Sequence, residues 1–144
     1  MFKFKDLPKK IPIFPLSNFI FFPDTSAPLN IFEPRYISMI DQCMKTNRLL
    51  GMAQPKRISN DKVPGLFDVG CLGKISSFNE TEDGRYVIVL NGVTRFNIIK
   101  EIDNKKAFRE FEINTNGFEN DLLKKQEEIN FSDLNLIFND LKKN

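Results

Sequence analysis

A chain of 144 residues with 41% apolar and 28% charged side chains is sized and composed for one globular domain that needs no metal or disulfide staple. Its formal charge of +2 is too small to imply a polyanionic partner, and the absence of any histidine removes Ser–His and Cys–His nucleophile pairs and imidazole metal ligands. Cys43 and Cys71 lie far apart and outside any C-x-x-C, so they read as small buried apolar residues of a reducing, cytoplasmic setting, with no metal site and no cofactor implied.

The first ten residues, MFKFKDLPKK, read as a basic solvated tail. The next stretch, IPIFPLSNFIFFPDT (11–25), is aromatic and punctuated by proline. Proline donates nothing to a ladder, so a strand here is expected at an edge or broken by bulges. The same prolines interrupt any signal-peptide or membrane-spanning run. Leu29–Phe32 reads as a second short strand. From Pro34 to about Arg48, Tyr36 or Ile37, Met39, Ile40, Cys43 and Met44 recur at helical spacing. LLGMAQ (49–54) reads as a buried strand and 55–65 as a polar loop. The strongest strand signals are 69–80 and 84–102, joined by a hairpin turn at Asp83-Gly84. Asn91-Gly92 predicts a second hairpin, with a glycine bulge in one long bent strand as the alternative. AFREFEIN (107–114) closes the sheet. Beyond Gly117 the composition turns helical, with Ser132 as an N-cap and Leu134, Ile137, Phe138 and Leu141 as an apolar stripe. The chain divides into a tail (1–10), a β-rich domain (11–115) and a helical segment (116–144).

Tests for chemistry come back bland. Gly65 and Gly70 have phosphate-loop spacing, but Cys71-Leu72 follow where Lys-Ser/Thr are needed, so they read as glycines at a strand entrance. The acids of NETED (79–83) lack calcium-loop spacing and read as a solvated hairpin tip. No catalytic constellation emerges.

PLNIFEPRY (28–36) places an acid, a proline, a base and a phenol where a strand stops. Pro34 suits the first helical position, and Glu33 meets the positive end of the helix dipole. Arg35 runs against that dipole and is expected to hold a buried or half-buried acceptor; Tyr36 buries its ring and keeps a polar tip. The stretch therefore reads as a strand-to-helix joint more than as a ligand site.

Ile11-Pro12-Ile13-Phe14-Pro15-Leu16, then Phe21-Phe22-Pro23, then Pro28 through Tyr36 with Met39 behind, follow one another in the order of a known family pattern. Val69-Gly70-Cys71-Leu72-Gly73 and Gly92-Val93-Thr94-Arg95-Phe96 continue it. Over about residues 11–113 the chain resembles the N-terminal substrate-binding domain of Lon proteases. The resemblance implies a mainly β (α+β) fold: a six-stranded, PUA-like pseudo-barrel with one packed helix and a short C-terminal helical segment. It also implies protein recognition without catalysis, since an ATPase module and a Ser–Lys protease domain do not fit in this length. The zinc-bearing domain of cereblon-like relatives has no cysteines here, which leaves a stand-alone module.

The leading expectation is a non-enzymatic module that binds unfolded or apolar polypeptide, or a partner protein, with a separate protease among its candidate partners. Phe19, Ile20, Phe21 and Phe22 are the candidate binding residues, because they offer more apolar surface than one edge strand normally buries. Glu33, Pro34, Arg35, Tyr36, Gly92 and Arg95 are the structural motif residues. RNA binding is the alternative. Lys56, Arg57, Lys62, Arg95, Lys100, Lys105 and Lys106 supply charge for it, but interspersed acids make nucleic acid the lesser candidate.

Overall fold

In the computed structural model, residues 7–17, 21–56 and 65–122 are described. Among the described residues, six strands and a long helix follow in the order β1 (Lys10–Pro15), β2 (Ser26–Ile31), α1 (Pro34–Lys45), β3 (Leu49–Ala53), β4 (Val69–Glu80), β5 (Tyr86–Ile102) and β6 (Glu110–Asn114), and residues 119–122 are helical as well. They form one sheet in the order β2-β5-β4-β3-β1-β6, and β5 also pairs with β6, closing the sheet on itself. This is the mainly β pseudo-barrel with a packed helix that the sequence predicts.

Strand β5 makes the closure possible because its two halves have different neighbours. Residues 86–91 pair with β2, residues 97–102 pair with β6, and β4 runs along the opposite edge. The change of neighbour occurs at a bulge: Gly73 faces Gly92 and Leu72 faces Thr94, so Val93 is the extra residue. A bulge bends a strand and sharpens its twist. Here it folds Val93 into the barrel core. The second hairpin expected at Asn91-Gly92 is thus corrected to the alternative, one long bent strand. The Asp83-Gly84 turn forms as expected, with Gly84 at φ 84° and Thr81 N–H donating to Arg85 O at 2.8 Å.

Strand β1 is a second correction. It is an interior strand, not an edge. Residues 10–12 pair with β6 and residues 13–15 run parallel to β3, so Pro12 and Pro15 each stand in a stretch laddered on one side.

Two apolar clusters result. Inside the barrel, Ile11, Ile13, Leu72, Val93, Phe96, Phe111 and Ile113 pack together. Outside it, α1 lays Tyr36, Met39, Ile40 and Cys43 against Leu50, Ile75, Ile88 and Leu90. These four helix residues are an i, i+3, i+4, i+7 stripe, and burying Met39 and Ile40 contributes about 1.5–3 kcal/mol each. The helix stops where Arg48 turns left-handed at φ 62° and its N–H donates to Cys43 O at 2.9 Å. Among the described residues, no helix is long and apolar enough to cross a membrane. Ser132, Leu134, Ile137, Phe138 and Leu141 lie outside the described residues, as do Phe19, Ile20, Arg57 and Lys62.

Candidate functional site

Phe22-Pro23-Asp24-Thr25 makes a tight turn. Thr25 N–H donates to Phe22 O at 3.3 Å, and Asp24 takes φ 64° at the third position, behind a proline at the second. This is type II chemistry, with aspartate tolerating the left-handed region in place of the usual glycine. The Thr25 hydroxyl adds a bond to Phe22 O at 2.7 Å. The turn then seats on β5: Asp24 N–H donates to Gly92 O at 3.0 Å, and Gly92 N–H donates to Thr25 O at 2.8 Å. A Cβ at residue 92 would lie 1.9 Å from the carbonyl oxygen of Phe22. Only glycine admits that approach, and the reason has nothing to do with a hairpin.

The seated turn holds Phe21 and Phe22 at the mouth of a groove of about 220 Å³. Leu16 follows β1, Met52, Ala53 and Gln54 come from β3 and its end, Val69, Gly70 and Cys71 open β4, and Arg95 comes from β5. Close packing beneath the groove explains two more glycines. A Cβ on Gly51 or Gly70 would meet the Phe96 ring at 2.9 and 2.6 Å. The groove is apolar and partly uncovered: Phe22 is 54% exposed and Val69 48%. Phe67 is 50% exposed, and its N–H is tied to Gln54 O at 2.9 Å. Burial pushes the Cys71 thiol up to about 12, and the nearby Asp121 carboxylate adds to the rise, so it is protonated and inert near neutral pH. Cys43 is likewise buried and pushed up to about 12.

Among the described residues that line it, Arg95 is the cationic one. Its Nε and Nη2 donate to the two carboxylate oxygens of Asp121 at 3.0 and 2.9 Å, and its guanidinium lies over the Phe118 ring at 4.9 Å. The side chain of Asp121 is only 8% exposed, against 48% for Arg95. It also accepts the Arg95 backbone N–H at 2.9 Å. Burial alone would raise the Asp121 carboxyl, but these bonds outweigh it and hold the group below the ordinary aspartate value. Asp121 was not singled out from the sequence. It sits in a run of Glu, Asn and Asp that carries no local mark of its partner.

The strand-to-helix joint is elsewhere, at the start of α1. Pro34 takes the first helical position and Glu33 the N-cap, in extended backbone at φ −70° and ψ 133°. Tyr36 buries its ring against Phe14 at 4.4 Å. The acceptor expected for Arg35 is corrected: its Nε donates to Glu33 at 3.0 Å, and both side chains are exposed, 56% and 45%. Glu33 makes no side-chain cap bond. Several basic residues of the nucleic-acid alternative are engaged by acids: Arg95 by Asp121, Lys106 by Glu110 at 3.0 Å, and Lys100 by Glu112 at 3.9 Å. Among the described residues, no group of His, Cys, Asp or Glu is placed to hold a metal ion.

The family model described as the ATP-dependent protease La (LON) substrate-binding domain matches residues 10–143. The chain belongs to the LON substrate-binding domain family. It is 34% identical over 136 residues to Lon protease 1 of Bdellovibrio bacteriovorus, covering 91% of this chain and 17% of that protein. It is 34% identical over 92 residues to a Lon protease of Desulfosudis oleivorans, covering 62% of this chain and 11% of that protein. The chain thus spans less than a fifth of the length of these curated relatives. Among solved structures, a Lon N-terminal domain protein from Xanthomonas campestris aligns with TM-score 0.58 and 26% identity, over 73% of this chain and 58% of that one. The N-terminal domain of Mycobacterium avium complex Lon protease aligns with TM-score 0.58 at 18% identity, over 74% and 54%, a likeness of fold. The Lon-family motifs of this chain converge in space. Leu16, Phe22, Gly70, Cys71 and Arg95 all line the groove, and Gly92 seats the turn that carries Phe22.

Proposed function

We propose that the groove binds a short apolar, aromatic-bearing segment of an unfolded or partner polypeptide, and that this non-catalytic domain delivers such chains to a Lon-type protease. One observation carries the reading: Phe22 and Val69 stand half exposed on an apolar groove whose backbone is pinned by Gly92 and the Phe22–Thr25 turn. Exposed apolar side chains on a rigid frame are prepaid binding surface, because little ordering remains for the ligand to impose. The unit that does this is the barrel of residues 11–115, with residues 116–144 as an appended segment.

The test is fluorescence anisotropy of a labelled, unstructured peptide rich in Phe and Leu, with a single-stranded RNA oligonucleotide in parallel. Phe22→Ser and Val69→Ser should each weaken peptide binding about tenfold, the effect of removing a contact of roughly 1.4 kcal/mol. The melting temperature should move little, since both side chains are half exposed in the free protein. Unchanged peptide affinity in both variants would overturn the reading, and tight, salt-sensitive RNA binding would replace it.

A further inference from the structure

Arg95 belongs to two places at once. The residue lines the groove, and its guanidinium grips Asp121 over the ring of Phe118. Asp121 is also within 3.5 Å of the Thr94 hydroxyl. Thr94 and Arg95 lie opposite Leu72 and Cys71 on β4, and Cys71 lines the same groove. One residue further on, Leu122 is buried in the barrel core. The short helical segment that begins at residue 119 is therefore docked through a residue that is also groove wall. A long guanidinium side chain has many rotamers, and a bidentate carboxylate selects one of them. Anything that packs against the wall in that rotamer favours the docked segment, and by reciprocity the docked segment favours whatever packs there.

We propose that Asp121 is a positioning residue for the groove: docking of residues 118–122 fixes Arg95 as its wall, so that groove occupancy and docking reinforce each other. The polypeptide ligand in this statement rests on the function proposed above. The coupling itself rests on the Arg95–Asp121 geometry alone.

The two buried cysteines report on it without any ligand. Cys71 lines the groove, whereas Cys43 sits on α1 in the outer core. Site-resolved labelling by excess maleimide in mildly alkaline solution reads the opening of each. In Arg95→Lys, which leaves in place the Asp121 charge that helps raise the Cys71 thiol but breaks the fork, Cys71 should label at least about fivefold faster while Cys43 holds its rate. Equal acceleration at both thiols would mean that the pair only holds the fold together, and an unchanged Cys71 rate would mean that the wall ignores the segment. Either result sinks the proposal. In the native protein, a saturating Phe/Leu-rich peptide should slow amide exchange at 118–122, and Asp121→Asn should bind that peptide about fivefold more weakly. Faster or unchanged exchange at 118–122 beneath a bound peptide would also overturn it. If the peptide binds nowhere, the function reading falls and the thiol ratio alone decides the coupling.

Discussion

Two arginines, both in family motifs, meet acids in opposite surroundings. At the strand-to-helix joint, Arg35 pairs with Glu33 two residues away, and both lie in solvent. At the groove, Arg95 pairs with Asp121 from a distant part of the chain, and the acid is nearly buried. An exposed local pair gains little, because water screens it and holding it costs side-chain entropy. A buried carboxylate that accepts two guanidinium bonds and a backbone N–H is a different object, since removing it takes three bonds at once from a sheltered position. Motif membership therefore says little about energetic weight. The burial of the partner decides it.

The largest expected effect sharpens this contrast at the groove. Gly92→Ala drives a methyl into the Phe22 carbonyl, which belongs to a hydrogen-bonded turn and not to a flexible side chain. A loss of roughly 3 kcal/mol is expected, the upper end for overpacking, read by urea denaturation. A near-normal midpoint would show that the turn does not sit on β5. Asp121→Ala comes next, at about 1–3 kcal/mol, because the Arg95 N–H and guanidinium lose their acceptor. Equal stability of Asp121→Ala and Arg35→Ala would erase the distinction between the two arginines.

Acid titration is a gentler test. Asp121 and Glu110 both hold their folded values below the ordinary carboxylate range, Asp121 through Arg95 and Glu110 through Lys106 and Asn104, in each case against the opposing push of burial. A depressed folded value means the unfolded chain binds the proton more readily. The stabilisation is therefore complete above the unfolded values of about 4, and is lost as pH falls through the lower folded ones. Asp121→Asn should flatten that acid limb in a series of thermal melts. A limb that keeps its slope would assign the loss to other carboxylates. The smallest effect is Arg35→Ala, at less than about 1 kcal/mol in calorimetry. A larger loss would restore the buried acceptor that the sequence suggested.

Arg35 and Gly92 show what could and could not be read from residues alone. The joint at Pro34, the buried stripe Tyr36-Met39-Ile40-Cys43 and the bounds of β4 were legible, because periodicity and capping are local properties. Asn91-Gly92 misled for the same reason. That dipeptide is a strong local turn signal, but its glycine answers to Phe22, a residue far away in the chain. The proline rule for β1 failed similarly, since a strand can be interior to a sheet while each stretch of it is laddered on one side. At the groove, Phe21, Phe22 and Arg95 were named from the sequence. Asp121 was not, because its role arises only when β5 and the segment after β6 come together.

Strand β1 is made early in synthesis and completed late. Its first half waits for β6, where Lys10 meets Glu112 and Ile11 meets Phe111, while its second half waits for β3. A nascent chain that has emerged only as far as β5 has residues 97–102 and half of β1 without their β6 partner, leaving strand edges open to wrong pairings. Closure across such sequence separation places folding toward the millisecond-to-second range rather than the microseconds of a helical bundle. The barrel is thus exposed to a kinetic hazard of its own at birth, until Asn114 has cleared the ribosome.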